Sequence, residues 1–343
     1  MGLKLQRLFA AVLACMGIII LLICPAAAQT GINDGLMLCG QVIIPSLFPF
    51  MAVAGFISRT GAAGVIAYPL RPIICPLFKL TGEPCWAVLM SFIGGYPVGA
   101  AAVAQLCSQG YIDRRIASRM LTFCINAGPA MVVVAVGKIM LGSLSVGWVL
   151  YAAHIGAAIL TGLIFTLADR HSEPPYKVGI APKPQALPYA FTGAVSDAST
   201  QMLIVCGYVI LFAAITAFFQ QCGTPWAAVL LEVTCGARYA AQAGMSAPFI
   251  SAVLGFGGLS VMCQTISLSH SLIGMGRLLL SRVINAVLSF ILCSLLIRLL
   301  PDAVQTMSNI GQSTLQLAVG TIPLTLSMLI MAAVFLSSTA SNV

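Results

Sequence analysis

The sequence contains very little charge for its length. Only 7% of its 343 residues are Asp, Glu, Lys or Arg, whereas roughly a quarter of residues are charged in soluble domains. Hydrophobic residues make up 60% of the chain, and the mean hydropathy is +1.04. These values exclude an ordinary soluble domain and predict an all-α polytopic membrane protein.

The sequence also lacks the common catalytic and cofactor-binding motifs. It contains no H-E-x-x-H, no G-x-S-x-G, no P-loop and no Rossmann fingerprint. The 12 cysteines are scattered without a C-x-x-C pair, and the 3 histidines do not have metal-ligand spacing. No basic stripe with interleaved aromatics suggests nucleic acid. We therefore expect no enzyme, no cofactor or metal, and no nucleic-acid partner.

Apolar segments divide the chain into candidate spans. An N-terminal run at 8–24, followed by PAAAQ, fits a spanning helix or a cleaved signal peptide, and we expect a retained helix. A Pro-rich, charged stretch at 169–189 predicts a cytoplasmic linker between two halves, 31–168 and 190–300. The remaining segments lie near 35–57, 84–106, 120–136, 145–167, 200–219, 225–243, 249–268, 278–297 and 315–336.

The segment that contains SFIGGYPVGA, residues 91–100, carries helix-breaking residues at its centre. Basic residues precede this segment, and the basic residues Arg114, Arg115 and Arg119 follow it. A full crossing would put these clusters on opposite sides of the membrane, against the positive-inside bias. We therefore predict a re-entrant helical hairpin at about 84–107 that turns at Gly94, Gly95 and Pro97.

The second half of the chain repeats this pattern weakly. The residues Pro84, A-V-L at 87–89 and Gly95 recur at a constant spacing as Pro225, A-V-L at 228–230 and Gly236. Apolar helices broken at NAGPA (126–130) and GFGGLS (255–260) follow each copy. This predicts a second hairpin at about 225–243 and discontinuous helices at about 116–137 and 247–270.

The predicted topology has about eight transmembrane helices plus two re-entrant hairpins in two inverted repeats. A helix at 1–30 precedes the repeats, and a helix at 301–343 follows them. Both termini then lie on the cytoplasmic side with most basic residues, including Arg59 and Arg282. Only Lys138 and Arg298 fall outside, and Arg238 falls within the second hairpin.

Several of these motifs resemble one known family. IIPSLFPFMAVAG, GGYPVGA followed by RMLTFCINAGPA, and then EVTCG and GFGGLSVMCQ resemble the sporulation integral membrane protein family YlbJ, also called SpoVV. This family belongs to the nucleoside-recognition or Gate-domain membrane proteins. The resemblance covers about residues 5–300 and implies passage of dipicolinic acid across the outer forespore membrane.

Charged residues away from the predicted surfaces are candidates for function, because burying them in the bilayer is costly. Glu232 and Arg238 flank Gly236, and a turn at Cys235–Gly236 would bring them together. One alternative is a structural salt bridge between them. The other is that Arg238 separates from Glu232 when substrate binds and then pairs with a substrate carboxylate. Asp197 would cap a helix or, like Glu232, form an ion or proton site.

The remaining candidates for substrate binding are polar residues, which could form hydrogen bonds, and glycines near the turns, which leave the backbone accessible to a substrate. Asn126 would bind substrate or cap a half-helix, Gln264 would bind substrate or a neighbouring helix, and Tyr96 would stack on a ligand or pack. His154 would act as a proton relay or a core residue. The full predicted substrate site is Ser91, Gly94, Gly95, Tyr96, Asn126, Gly128, Glu232, Thr234, Gly236, Arg238, Gly257, Gly258 and Gln264.

Inverted repeats with discontinuous helices that meet near the midplane are typical of secondary transporters. We therefore predict a transporter of a small organic anion by alternating access, with dipicolinate as the first candidate. A permease for a nucleoside-like or other polar metabolite and a non-transporting scaffold are the alternatives. The expected partners are the solute, membrane lipid and, as a possibility, further copies of the chain.

Overall fold

The computed structural model describes residues 11, 15, 24–80, 82, 84–169 and 184–300, and all the regular secondary structure of these residues is helical. The spans predicted at 8–24 and 315–336, and most of the linker, lie outside these residues. Five described helices are long and apolar enough to cross a membrane. An integral, multi-pass membrane protein is confirmed, while the count of eight spans stays a prediction.

Two long antiparallel helices form one side of the molecule. The first, α1, runs from Pro25 to Arg59 with a π-helical turn at Cys39–Ile43. A short apolar helix, α2 (Ala63–Phe78), follows it. The other long helix, α8 (Leu187–Gln221), packs along α1. Gly31 and Gly35 lie directly against the α8 backbone, as small residues do where membrane helices approach closely.

The segment predicted as the first hairpin contains two short helices, α3 (Pro84–Ile93) and α4 (Tyr96–Ser108), and its re-entrant course in the membrane stays a prediction. Gly95 joins them at φ 91° and ψ −179°, a conformation that only glycine adopts readily. Pro97 fits the first turn of α4, where its missing N–H costs nothing. Gly94–Gly95 is therefore the turn, as the sequence predicts.

The segment predicted as a discontinuous helix at about 116–137 is interrupted in the structure. Helix α5 (Arg114–Met120) begins at Asp113, whose carboxylate accepts a hydrogen bond from the Ile116 N–H at 2.6 Å. The chain then leaves helical geometry until Pro129 and continues as the 11-residue π-helix α6 (Ala130–Met140). A helix of that length is too short to span hydrocarbon alone. The helix is therefore broken before Pro129, as the NAGPA motif predicts.

The second half contains matching elements with a different break. A 3-10 turn at Pro225–Ala227 leads into the short helix α9 (Ala228–Leu231), and α10 (Val233–Gln242) follows. The chain bends at Glu232, which has φ −142° and ψ 126°. The turn predicted at Cys235–Gly236 is wrong. Gly236 lies within α10, where it packs against the backbone of α9.

Three further helices complete the described fold. Helices α11 (Ala247–Phe256) and α12 (Gly258–Leu268) meet at Gly257, which has φ 79°, so the break predicted at GFGGLS is confirmed. Helices α7 (Leu144–Ala168) and α13 (Met275–Leu299) pack against each other and against the broken helices. Large apolar side chains such as Trp148, Leu203 and Leu280 point outward, as lipid-facing residues do.

Basic residues predicted to share the cytoplasmic side do cluster at one end. Arg115 and Arg277 lie 3.5 and 3.7 Å from Asp169, and Arg114 donates to the Ser271 carbonyl at 2.9 Å. Arg119 donates at 3.2 Å to the carbonyls at the end of α2. Burial lowers the pKa of Arg119, and the nearby Asp169 carboxylate only partly opposes this effect. Which side of the membrane this end faces stays a prediction.

Candidate functional site

One small cavity of about 70 Å³ is lined by the turn at Gly94–Gly95, the bend at Glu232, the end of the first helix break at Gly128, and α12, the helix that follows the second break. Seven of the residues predicted to bind substrate line it, together with apolar residues of α1 and α8. They are Gly94, Gly95, Tyr96, Gly128, Glu232, Thr234 and Gln264. Their convergence from four separate segments is the central feature of the site.

Close backbone contacts hold the first turn against the first break. A Cβ atom on Gly128 would lie 3.1 Å from both the Gly95 nitrogen and the Ile93 carbonyl oxygen. A Cβ atom on Gly99 would collide with the Cys124 carbonyl oxygen, so only glycine permits this approach. The unwound chain therefore lies directly against the hairpin.

Tyr96 connects the first hairpin to the second broken helix. Its hydroxyl donates to the Leu254 carbonyl oxygen at 2.7 Å, near the end of α11. Its ring makes an edge contact with His154, at 6.5 Å between centroids. Gly257 lies within ordinary contact distance of the same ring, and Gly258 packs against Leu231 and Glu232.

Glu232 is a fully buried carboxylate that caps a helix. Its side chain accepts a hydrogen bond from the Cys235 N–H at 2.8 Å, at the N-terminus of α10. The helix dipole and the free N–H groups there stabilise a negative charge. Neighbouring Thr234 has its hydroxyl 4.0 Å from the Met131 sulfur, which brings the second turn against α6.

The predicted pairing of Glu232 with Arg238 is wrong. Arg238 is half-exposed, lies 3.7 Å from Asp34 near the start of α1, and is not among the residues lining the cavity. The chain bends at Glu232 rather than at Gly236, so α10 continues as a regular helix and carries Arg238 away from Glu232. Both residues therefore have partners other than each other.

The polar residues behind the cavity mostly satisfy the chain itself. Ser91 donates to the Val88 carbonyl at 2.7 Å, as a hydroxyl within a helix commonly does. Asn126 donates to the Phe123 carbonyl at 2.7 Å and to Ser91 at 3.3 Å rather than capping α6. Its amide oxygen is buried without a described partner. Gln264 donates to Ser260 of its own helix at 3.0 Å.

A second and larger cavity of about 460 Å³ lies beside the first. It is bounded by α1, α4, α8 and α12, and its exposed rim includes Ser108, Gln185 and His270. Arg59 and Asp197 form an ion pair in it at 2.6 Å, and Arg59 also donates to Gln185 at 3.2 Å. Asp197 lies well inside α8, so the predicted capping role is wrong.

The two cavities follow one another along the same three helices. On α8, Gln201 and Ile204 line the larger cavity, and Val205 and Val209 line the smaller one. On α12, Leu268 faces the larger cavity and Gln264 the smaller, and α4 contributes to both in the same order. The cavity with the Arg59–Asp197 pair and the cavity at the two turns therefore lie one after the other along these helices.

One buried charged position, Arg282, was not recognised in the sequence as a candidate for function. Arg282, predicted on the cytoplasmic surface, is fully buried and donates to carbonyls of the unwound segment after α5. His154 is buried as well, and its Nε2 accepts the Ala127 N–H at 2.9 Å, which supports the core role over the relay. An Arg within an otherwise apolar span was the available signal for Arg282.

One relative is found among curated proteins. Sporulation integral membrane protein YlbJ of Bacillus subtilis (strain 168) is 24% identical over 285 residues, which covers 70% of this chain and 70% of that protein. No protein-family profile and no solved structure matches the chain. The similarity supports membership of the YlbJ family of sporulation integral membrane proteins, the family that the motifs resemble.

Proposed function

We propose that this protein is a membrane transporter that moves a small organic anion by alternating access. The observation that carries the proposal is that the two turns, the first helix break and α12, which follows the second break, line one cavity. Interrupted helices in a membrane protein are tolerated where the freed backbone groups are buried in protein or face a watery cavity. Transporters commonly build their substrate sites in this way.

The helix termini favour an anionic solute. Helices α4 and α10 begin at the two turns, with Tyr96, Pro97, Val233 and Thr234 at the cavity wall. The N-terminus of a helix attracts negative charge. Glu232 already occupies one such position, so a solute carboxylate would bind beside it at the other helix or displace it. This is our basis for expecting a carboxylate rather than a cation.

The smaller cavity is too small for an organic solute in this conformation. Its volume of about 70 Å³ has room for about two water molecules at ~30 Å³ each. Ordinary ligand pockets begin at about 300 Å³. The turns must therefore separate to admit a solute, while the larger cavity has the size of a ligand vestibule. We propose that this conformation is closed at the site and open toward the end that carries Arg59.

The relative's name and the family resemblance suggest the setting. We propose dipicolinate as the solute and the outer forespore membrane as the location, with both termini in the mother-cell cytoplasm. We also propose that the two halves of the chain are inverted repeats and that each contains a re-entrant hairpin. This arrangement would explain why two similar turns lie close together. The apolar outer surfaces of α7, α8 and α13 would contact lipid.

A nucleoside-like solute is the second candidate. The cavity wall includes the uncharged hydrogen-bonding side chains of Thr234 and Gln264, and Tyr96 offers an aromatic ring. Such groups recognise a polar ring without requiring a carboxylate. A scaffold without flux would bind neither class.

A binding experiment on purified protein separates these functions. Thermal unfolding in detergent would be measured with dipicolinate, a monocarboxylate analogue, a nucleoside and buffer alone. The proposal predicts a saturable rise in the unfolding midpoint with dipicolinate that is lost in Gln264→Leu and retained in Arg238→Ala. A rise with the nucleoside alone would favour the second candidate. No rise with any solute would favour the scaffold.

A further inference from the structure

Arg282 lies near the middle of the described protein interior. It belongs to α13, a helix long and apolar enough to span a membrane, and its relative exposure is 0%. A guanidinium is always protonated in a protein, and burying it costs several kcal/mol unless other groups compensate. The groups that bind the Arg282 guanidinium therefore show which part of the protein it stabilises.

Both terminal nitrogens of Arg282 bind the unwound segment between α5 and α6. Nη1 donates to the Ile125 carbonyl oxygen at 2.5 Å, and Nη2 donates to the Thr122 carbonyl oxygen at 2.6 Å. In a regular helix the Ile125 carbonyl would accept from residue 129. That residue is Pro129, which has no N–H to give. The guanidinium supplies the missing donor.

The charge of Arg282 is balanced by carbonyl dipoles rather than by a carboxylate. No acidic side chain of the described residues forms an ion pair with it. Other side chains hold the rest of the unwound segment, since His154 binds the Ala127 N–H and Asn126 binds the Phe123 carbonyl. The segment thus presents carbonyl oxygens to a single buried positive charge.

Unwound carbonyl groups of this kind bind the coupling cation in many transporters. We propose that the Arg282 guanidinium takes the place of such a cation, so that the first broken helix is held by a charge fixed to α13 and needs no Na⁺. Solute movement would then be independent of sodium. The independence of solute movement from sodium rests on the proposed function. The replacement of a bound cation by the Arg282 guanidinium does not, because it concerns only the fold.

The test measures thermal unfolding of the purified full chain in NaCl and in choline chloride at equal ionic strength. Arg282→Lys keeps a fixed charge, Arg282→Met removes it, and Arg298→Met makes the same change at an exposed position of the same helix. For wild type, Arg282→Lys and Arg298→Met, we expect the unfolding temperature of each protein to be the same in NaCl as in choline chloride. We expect Arg282→Met to unfold about 5 °C lower in choline and to regain stability with Na⁺ in a saturable way.

Three results would overturn the proposal. One is a saturable stabilisation of the wild type by Na⁺, and another is an Arg282→Met variant that is destabilised equally in both salts. The third is loss of folded protein in the Lys and Met variants alike, which would assign Arg282 to packing. None of these readouts needs transport, so their outcome is independent of whether dipicolinate is the solute.

Discussion

The Tyr96 hydroxyl donates a 2.7 Å hydrogen bond to the Leu254 carbonyl oxygen, and so joins elements that are 158 residues apart. Tyr96 begins α4 directly after the first turn, and Leu254 lies in the last turn of α11 before the break at Gly257. The bond links the first half of the chain to the second beside the cavity that Tyr96 lines. Any opening of the cavity that separates these elements must break it.

Replacing Tyr96 by phenylalanine should loosen the closed conformation. The change removes the hydroxyl and leaves the buried Leu254 carbonyl without this donor, so we expect stability to fall by about 1 kcal/mol. Thermal unfolding of the purified variant would measure the loss. Tyr189→Phe is the matched control because that ring is 75% exposed. Equal stability of the two variants would show that the Tyr96 bond contributes nothing.

Glu232 should affect both stability and solute binding. Glu232→Gln keeps an acceptor for the Cys235 N–H but removes the charge, so we expect a stability near that of wild type and tighter binding of an anionic solute. Glu232→Ala also loses the cap and should cost about 1 kcal/mol. Titration of each variant with dipicolinate, followed by thermal unfolding, measures both effects.

Asp34→Asn is the control for Glu232, because it also neutralises an acid but lies outside the cavity. We expect it to leave solute binding unchanged. If Glu232→Gln bound the anion no more tightly than Asp34→Asn, the buried carboxylate would not share the site with the solute.

Gly128 should tolerate no side chain. A Cβ atom there would meet the Gly95 backbone and the Ile93 carbonyl at 3.1 Å, so Gly128→Ala must push the first turn away from the first break. We expect a loss of about 2 kcal/mol, in the range of overpacked cores. Gly207→Ala is the control, because nothing lies within 4 Å of its added atom. It should be neutral or slightly stabilising. A harmless Gly128→Ala would contradict the close approach.

Arg238 should be dispensable, although the sequence suggested otherwise. It is half-exposed and its partner Asp34 lies 3.7 Å away, so Arg238→Ala should change stability by less than about 1 kcal/mol. Solute binding should be unaffected. The check is the same dipicolinate titration, and a large loss of affinity would return Arg238 to the binding site.

The breaks in the helices were predictable from local sequence. Gly95 and Pro97 favour a turn, Pro129 prevents a regular helix from continuing through it and precedes α6, and Gly257 ends α11, for reasons that involve only the backbone near each residue. The convergence of these breaks was predictable as well, because unpaired backbone groups in a membrane protein require a shared polar interior. These features depend little on distant parts of the chain.

The partners of the charged residues were not predictable. The bend lies at Glu232 because its carboxylate caps α10, and a shift of four residues from Gly236 sends Arg238 to the surface. The sequence placed Arg282 at the cytoplasmic surface. Its true partners could not be found from the sequence, because they lie 157 and 160 residues away. Such contacts depend on helix packing, which sequence spacing alone does not give.

The most direct test of the account is uptake of labelled dipicolinate into proteoliposomes that contain the purified protein. Wild type, Gln264→Leu and the control Arg238→Ala would be compared with and without proton and sodium gradients. The account predicts saturable uptake by wild type and Arg238→Ala, unchanged by sodium, and its loss in Gln264→Leu. Absence of uptake by the wild type in either orientation and under every gradient would contradict the account.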